Sequence, residues 1–281
     1  MDDTDCSDEI GAKILELCSG CEPQILDLVR EYCIGGKMLR GKLAVYLADS
    51  DIDSYERALT VAACVEMVHS ATLLHDDIID NSVLRRAKNS SWVDNGVKTT
   101  ILLGDMLICR ALSALADSYP YFIPHIIRNL TAVCDAEIYQ ELISRGKSLS
   151  EKESMNISLN KTGRLFGFAA LAALNDRALD TELLEKVGNS LGLAYQIADD
   201  CFDRFGVDTT WKQRNNDRRN GKFTLAEVFD IDELKERVYS ILNDAVLLLG
   251  SNPELLHRLE NYTRNEFIPA LNFFFNINGD R

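Results

Sequence analysis

The segment from Ala58 to Asp80 is mostly apolar and contains neither proline nor glycine. Such a segment predicts one long helix, because nothing in it interrupts helical hydrogen bonding. Residues four apart share a face of a helix, so Asp76 and Asp80 lie together at its end, whereas Asp77 points about 100° away. The chain must therefore fold around an apolar helix that ends in paired carboxylates.

Carboxylates one helical turn apart repel each other, and a cation between them offsets that cost. Mg²⁺ prefers oxygen ligands of this kind and keeps waters that a phosphate can displace. The arrangement occurs twice, since Asp199 and Asp203 close a second apolar helix with Asp200 between them. A single copy is typical of an ordinary acidic helix end. Two copies favour facing carboxylate clusters that hold Mg²⁺ and grip a diphosphate.

Composition excludes several classes of protein. The 281 residues carry a formal net charge of −14, which argues against general binding to nucleic acid or anionic membranes. Most of the eight cysteines lie in apolar runs and Cys18-Ser-Gly-Cys21 is a lone pair, so a reduced cytosolic protein without zinc is expected. The N-terminus lacks the apolar core of a signal peptide, so no signal peptide is expected. No uninterrupted apolar run is long enough to cross a membrane, so no transmembrane helix is expected.

Helical periodicity runs through almost the whole chain, and strand and hairpin signals are nearly absent. No internal linker rich in Gly, Ser or Pro divides the chain. We therefore predict a single all-α domain spanning residues 1–281. The expected helices cover residues 8–18, 23–33, 39–49, 53–80, 97–116, 120–145, 151–174, 180–204, 222–229, 232–249 and 253–274, with starts at Pro23, Asp51 and Pro253.

Local groups of cations oppose the overall acidity. Gly35 and Gly36 allow a ligand to approach the backbone, where Lys37 and Arg40 can point at an anion. Arg85 and Arg86 follow the first Asp motif, and guanidinium groups suit phosphate oxygens. Solvated surface cations remain the alternative interpretation.

Other polar groups lie inside apolar helices. His69 shares a face with Asp76 and contacts either a ligand or the core, whereas His75 favours a structural hydrogen bond. Glu137 and Gln140 either brace neighbouring helices or line a site. Lys161 lies at an expected helix irregularity. The polar loop 212–222, with Lys212 and Lys222, is long enough to act as a lid beside the second Asp motif.

In this order the elements resemble the trans-isoprenyl diphosphate synthases, also called the polyprenyl synthetase family, and in particular its longer-chain polyprenyl and geranylgeranyl members. Single elements are weak signals, but the ordered set is specific and covers most of the chain. It comprises GGKMLR (35–40), HSATLLHDDIID (69–80), LRR (84–86), LLGD (102–105), EIYQ (137–140), KT (161–162), GLAYQIADDCFD (192–203) and GKFTL (221–225).

The resemblance implies a helical bundle around a deep cavity, usually homodimeric, that joins an allylic diphosphate to isopentenyl diphosphate and releases pyrophosphate. Metal ligands for typically three Mg²⁺ ions would be Asp76, Asp77, Asp80, Asp199, Asp200 and Asp203. The allylic diphosphate would be held by Arg85, Lys161, Lys212 and Lys222, and isopentenyl diphosphate by Lys37, Arg40, His69 and Arg86. Thr162 and Gln196 would lie near the reacting carbons.

The chain departs from the family pattern in its loops. Met38 stands where Arg is usual, Gly41 where Pro is usual, Ala87 where Gly is usual, and Ser154 where Tyr is expected. None of these changes removes a metal ligand or a diphosphate-binding cation. They bear on loop geometry and rate.

Product length is expected to depend on Ala71 and Thr72, about one turn before Asp76. Enzymes of the family that make short products usually carry an aromatic ring there. Ala71 leaves room, which predicts a product longer than farnesyl diphosphate. The alternatives are a geranylgeranyl or farnesyl diphosphate synthase, a subunit of a heteromeric synthase, a terpene cyclase, and, from another class, a non-catalytic helical binding protein.

Overall fold

The computed structural model describes residues 6–174, 180–206 and 216–275. The chain forms two compact units, Met1–Pro124 and His125–Arg281. In the described residues the only strands are a two-residue pair, and nearly everything else is helical, which confirms the all-α prediction. That one domain spans residues 1–281 stays a prediction.

The first unit is built around α4. Its helices are α1 (Cys6–Leu17), α2 (Pro23–Tyr32), α3 (Leu39–Tyr46), α4 (Ile52–Ile79) and α5 (Ser91–Ser118). Asp51 caps α4 by accepting a hydrogen bond from the Ser54 N–H at 2.9 Å, and α2 starts at Pro23, so both predicted starts are confirmed. Because α4 is apolar on nearly all sides, it is buried by α1, α3 and α5.

Within the part of the chain that the structure describes, two helices, α4 and α5, are long and apolar enough to cross a membrane by length and composition alone. The most apolar stretch of α4 is 78% buried inside the protein, as expected of a core helix, whereas that of α5 is 33% buried. The test is weak evidence for a membrane span, because core helices of soluble proteins also pass it.

A hairpin follows α4, where the sequence analysis expected a loop. Strands β1 (Leu84–Arg85) and β2 (Lys88–Asn89) pair antiparallel around a two-residue turn. Both turn residues have positive φ angles, 52° at Arg86 and 62° at Ala87. Turns of this kind usually have Asn or Gly at both positions. Arg86 and Ala87 occupy them here, which explains why the sequence did not predict the hairpin.

Replacing Ala87 with glycine should stabilise the protein. Alanine at a positive φ is strained by its Cβ, and glycine relieves that strain, so we expect the free energy of unfolding to rise by about 0.5–1 kcal/mol. Urea denaturation measures the change. The matched control, Ala116→Gly on the exposed side of α5, should change stability in the opposite direction because glycine weakens a helix. Equal losses in both variants would show that the turn at Ala87 is unstrained.

The second unit is built around α9 (Thr181–Phe205). Packed against it are α8 (Arg164–Ala170), α11 (Ile231–Leu248) and α13 (Ile268–Phe275). The remaining helices are α6 (Ile123–Tyr139), α7 (Glu151–Ser158), α10 (Asn216–Arg219) and α12 (Pro253–Tyr262). The start of a helix at Pro253 is confirmed.

Irregular turns interrupt the expected long helices of the second unit. Wide, π-type turns cover Gln140–Ser144, Leu159–Gly163 and Thr263–Phe267. The second of them contains Lys161, so the expected irregularity there is confirmed. Such turns often occur at functional sites. The predicted helix 222–229 is wrong, because only the short turn Leu225–Glu227 is helical in that range.

Candidate functional site

The first Asp motif lies at the C-terminal end of α4. Asp76 and Asp80 are half-buried, and the backbone N–H of Asp80 donates to the carbonyl of Asp76 at 2.8 Å in the last helical turn. The C-terminal end of a helix carries partial negative charge, which adds to the mutual repulsion of the two carboxylates. This helix end is therefore a favourable place for a cation.

Asp77 has a different environment from its neighbours. It is almost fully buried, and Nε of Arg85 donates to both carboxylate oxygens at 2.9 Å. Burial raises the pKa of Asp77, and the Arg85 guanidinium acts in the opposite direction. The first motif thus combines two half-exposed carboxylates with one that anchors the hairpin arginine.

Cations collect around His69 in the first unit. The imidazole is partly buried, and its pKa lies well below the usual value, first because of burial and then because of the charges of Arg40, Arg86 and Arg85. His69 is therefore neutral at pH 7. The three guanidinium groups that act on it make this part of the unit a strongly positive surface for an anion.

The paired glycines of the Gly35-Gly36 loop accommodate Arg86. A Cβ atom at Gly36 would lie 2.6 Å from Cζ of Arg86, and φ at Gly36 is +78°, so a side chain there would displace the guanidinium and strain the backbone. Lys37, which follows, is exposed. The glycines therefore allow the guanidinium to pack on the loop, in addition to the role expected for them at a ligand.

The other predicted residues of the first unit, His75, Ala71 and Thr72, either form hydrogen bonds within the protein or are buried. Nε2 of His75 lies 3.2 Å from the carbonyl of Ile101 and 3.6 Å from Asp105, so its predicted structural hydrogen bond is confirmed. Ala71 is fully buried. Thr72 is half-buried, and its hydroxyl donates to the carbonyl of His69 at 2.8 Å.

The second Asp motif lies in the last two turns of α9. Asp199 is half-buried, whereas Asp200 and Asp203 are buried. Nε2 of Gln196 donates to Asp200 at 2.7 Å, and the backbone N–H of Asp217 donates to Asp203 at 3.3 Å. In each motif the middle carboxylate is thus held by a side chain of the protein.

Lys161 and Thr162 are fixed by neighbours in the second unit. Nζ of Lys161 lies 2.6 Å from the carboxylate of Glu137 and donates to the Gln140 amide oxygen at 2.7 Å. The hydroxyl of Thr162 donates to the Gln196 amide oxygen at 2.5 Å. The chain Thr162–Gln196–Asp200 is therefore continuous, and Glu137 and Gln140 brace the catalytic candidate Lys161.

A small polar cavity of about 40 Å³ gathers these side chains. Of the predicted residues, Lys161, Gln196, Asp200 and Lys222 line it. Ser154, at the position where the family usually has Tyr, also contributes to its wall. Lys212 and the first part of the expected lid 212–222 lie outside the described residues. The cavity combines the ammonium groups of Lys161 and Lys222 with the carboxylates of Asp200 and Asp217, which suits an anion accompanied by a cation.

The donor atoms fit a hard divalent cation. Among the described residues, no three His, Cys, Asp or Glu side chains form a complete metal-binding group. Mg²⁺ is commonly held by one or two carboxylates together with waters and substrate phosphates. The half-buried carboxylates of Asp76, Asp80 and Asp199 provide that kind of ligand. Asp77 and Asp200 accept hydrogen bonds from protein side chains, which orient them within the two motifs.

One residue of this region was missed from the sequence. Glu66 is a lone acid in the apolar middle of α4, is 5% exposed, and accepts a hydrogen bond from the backbone N–H of Gly41 at 2.8 Å. The sequence signal for Glu66 was its position, because an acid between Val65, Met67 and Val68 needs hydrogen-bond or charge partners when it is buried. Which partners it has depends on the tertiary fold.

The neutral state of His69 should make stability depend on pH. Its pKa is lower in the folded chain than the value of about 6.5 expected when unfolded, so the unfolded chain binds more protons in that window. Stability from this group is complete above about pH 7.5 and falls as the pH drops below about 6.5. Relative to His69→Gln, wild-type protein should lose up to about 1.4 kcal/mol per pH unit there.

Urea denaturation of both proteins at pH 7.5, 6.0 and 5.0 measures this difference. His257→Gln, on the exposed surface of α12, controls for the removal of a histidine. Parallel pH curves for wild type and His69→Gln would show that the His69 imidazole ionises as easily in the folded chain as in the unfolded one.

Comparisons with known proteins identify the family of the chain. The family model described as polyprenyl synthetase matches residues 22–252. Octaprenyl diphosphate synthase of Haemophilus influenzae is 32% identical over 197 residues, which cover 68% of this chain and 60% of that enzyme. Geranylgeranyl pyrophosphate synthase of Geoglobus acetivorans is 31% identical over 235 residues, covering 80% and 74%.

A solved structure shares the fold. Polyprenyl synthase of Caulobacter crescentus, crystallised with calcium and isoprenyl diphosphate, superposes with a TM-score of 0.69 at 24% identity, covering 97% of this chain and 94% of that one. The family model covers most of the chain, including both Asp motifs and every described cation of the site. The chain therefore belongs to the polyprenyl synthetase family, whose members are prenyltransferases.

Proposed function

We propose that the chain condenses isopentenyl diphosphate with an allylic diphosphate, head to tail and in the trans configuration, and releases pyrophosphate. The observation that carries this proposal is that each unit has a carboxylate cluster at a helix end together with its own set of cations, and that the half-buried members of these clusters are Asp76, Asp80 and Asp199. A cyclase needs no second diphosphate site, and a binding protein gives no reason for cations beside both motifs. Two diphosphate substrates account for both sets.

The cations of the first unit would hold isopentenyl diphosphate. Arg40, Arg86 and the neutral His69 form one positive surface with Lys37 on the exposed loop beside them. Guanidinium groups bind phosphate oxygens in pairs, and a neutral imidazole can donate one further hydrogen bond. Arg85 stays on Asp77 and would reach the allylic diphosphate from the hairpin.

Asp76, Asp80 and Asp199 would hold about three Mg²⁺ ions on the allylic diphosphate, with Asp77, Asp200 and Asp203 orienting them. Polyprenyl synthase of Caulobacter crescentus, which has this fold, forms a complex with calcium and isoprenyl diphosphate, and this supports a role for a divalent cation. When bound, the ions neutralise charge on the departing pyrophosphate.

The side chains of the second unit would position the reacting ends. Lys161, Lys222 and Lys212 would bind the departing diphosphate, and release of Lys161 from Glu137 would precede its use. Thr162 and Gln196 would direct their oxygens at the positive charge that develops on the allylic carbons. The released pyrophosphate is the base that removes the final proton, so no side chain is assigned to that step.

We further propose a product longer than farnesyl diphosphate. The small side chains at Ala71 and Thr72 support this length, since neither blocks a growing chain with an aromatic ring. A geranylgeranyl or farnesyl product remains the alternative, as does a subunit of a heteromeric synthase.

The proposed active form is a cytoplasmic homodimer. Val97, Ile101 and Leu102 are 43%, 41% and 66% exposed on α5, which leaves apolar side chains on the surface of a long helix. Exposed apolar patches of this kind mark protein interfaces. A homodimer would have twice the chain mass of 31.5 kDa.

The test is incubation with labelled isopentenyl diphosphate, Mg²⁺ and each of the dimethylallyl, geranyl, farnesyl and geranylgeranyl primers in turn. Separation of products by length should show a Mg²⁺-dependent series that ends at one length beyond farnesyl. Light scattering of the same sample measures the mass of the active species. Folded protein that extends no primer would contradict a stand-alone synthase.

A further inference from the structure

The proposed mechanism leaves one buried acid unused. Glu66 lies in the middle of α4, where Val65, Met67 and Val68 are fully buried, and its own side chain is 5% exposed. Burial raises the pKa of Glu66, which is the expected direction for a carboxylate removed from water. An acid kept at such a cost needs a structural or functional use.

Glu66 interacts with two residues of the predicted isopentenyl diphosphate site, Arg40 and Arg86, and with the neighbouring Gly41. Oε1 accepts a hydrogen bond from the backbone N–H of Gly41 at 2.8 Å, and the N–H of Arg40 also donates to the carboxylate. The positive charges of Arg40 and Arg86 partly offset the rise in the pKa of Glu66. The same two guanidinium groups lower the pKa of His69. Glu66 therefore lies on the inner side of the positive surface.

These contacts fix the start of α3. Arg40 and Gly41 are in its first turn, where backbone N–H groups have no partner within the helix. Met38 precedes the helix in a left-handed conformation, with φ at 43°, and provides no side-chain cap. The carboxylate of Glu66 thus caps α3 from a neighbouring helix.

Gly41 makes one of these contacts possible. Members of the family usually have proline at this position, and proline has no N–H to donate. A Cβ atom at Gly41 would lie 3.0 Å from Cγ of Glu66 and 3.0 Å from Cδ1 of Ile10, so the Glu66 side chain packs closely against the Gly41 backbone. The contact is therefore a property of this chain.

We infer that Glu66 is a positioning residue, which holds the first turn of α3 through Gly41 and thereby aims the Arg40 guanidinium at the anion. This inference rests on the proposed function for the identity of the anion, isopentenyl diphosphate. It adds a residue that touches no substrate and acts through Arg40. The negative charge of Glu66 also stabilises Arg40, since an arginine residue that is only 8% exposed needs a compensating charge.

A double-mutant cycle on ligand binding tests the inference. Calorimetry would measure the dissociation constant of isopentenyl diphosphate for wild type, Glu66→Gln, Arg40→Ala and the double variant. Glu66→Gln keeps an acceptor for the Gly41 N–H but loses the charge, and should weaken binding about tenfold. Because Glu66 acts through Arg40, the same change in the Arg40→Ala background should weaken binding less than about twofold.

Lys37→Ala gives the matched background. Lys37 is exposed, so Glu66→Gln should keep its full effect there. Equal effects of Glu66→Gln in the wild-type and Arg40→Ala backgrounds would overturn the inference. Tighter binding by Glu66→Gln would also overturn it, because Glu66 would then only neutralise the cations.

A second pair of variants covers the case in which Glu66→Gln fails to fold. Gly41→Ala and Gly41→Pro both add a Cβ atom beside Glu66, but only proline removes the N–H donor. Gly41→Pro should bind isopentenyl diphosphate at least about threefold more weakly than Gly41→Ala, and equal affinities would contradict the inference.

Measurement of turnover distinguishes failure of the proposed prenyl transfer from failure of the positioning role of Glu66. Wild-type protein that binds isopentenyl diphosphate yet extends no primer would refute the proposed function alone. If primers are extended, Glu66→Gln should raise KM for isopentenyl diphosphate and leave KM for the allylic substrate unchanged.

Discussion

Replacing Asp76 or Asp199 with asparagine should lower kcat by about 10³-fold or more without unfolding the protein. Each side chain is half-buried at the C-terminal end of its helix, where it would bind metal on the departing diphosphate. Asparagine keeps the shape but removes the charge that the cation requires. It also removes like-charge repulsion, so the free energy of unfolding should stay the same or rise by a few tenths of a kcal/mol.

The measurement combines initial rates at saturating substrates with thermal unfolding of the same preparations. Asp117→Asn is the matched control, because Asp117 is also an acid in the last turn of a long helix but is exposed and belongs to neither motif. It should keep full activity. Asp76→Asn or Asp199→Asn variants that retain more than about a tenth of wild-type turnover would contradict the assignment of these carboxylates.

Replacing Gly188 with alanine should cause the largest loss of stability. A Cβ atom there would lie 2.2 Å from the carbonyl oxygen of Phe166 and 2.7 Å from Cα of Gly167. Both neighbours are backbone atoms of α8, which cannot rotate away as a side chain can. We expect a loss of about 3 kcal/mol, even though alanine favours a helix by about 1 kcal/mol over glycine.

Thermal unfolding should show a fall in Tm of about 6–12 °C. Gly20→Ala is the control, since its nearest atoms are the guanidinium nitrogens of Arg110 at 3.7 Å, and it should change stability by less than about 0.5 kcal/mol. Gly192→Ala would bring a Cβ atom 2.9 Å from the carbonyl of Thr162, so it should also reduce activity. A Gly188→Ala variant as stable as wild type would show that α8 and α9 are farther apart than described.

The fold was predictable wherever one local rule dominates. The apolar segment that ends at Asp80 became α4, and the starts at Asp51, Pro23 and Pro253 followed capping rules. The hairpin was not predictable, because Arg86 and Ala87 are unusual residues for its turn. The wide turn that contains Lys161 was expected as a helix irregularity, whereas periodicity wrongly predicted a helix over 222–229.

The candidate residues of the site could be read from the sequence, but their partners could not. Periodicity places Asp77 away from Asp76, yet only the fold brings Arg85 to it. The contact of Gln196 with Asp200 could be inferred from their spacing of four residues on α9. The contact of Lys161 with Glu137 could not, because the two residues are far apart in the sequence. Whether the six Asp residues bind metal, and whether Ala71 and Thr72 set product length, stays a prediction.

Pyrophosphate release, measured with each substrate alone and with both together, tests the central claim most directly. Prenyl transfer by this chain predicts Mg²⁺-dependent release of pyrophosphate only when the allylic diphosphate and isopentenyl diphosphate are both present. One pyrophosphate should be released for each labelled isopentenyl unit in the product. Release from the allylic diphosphate alone would indicate a cyclase. No release from folded protein with both substrates would contradict prenyl transfer by this chain.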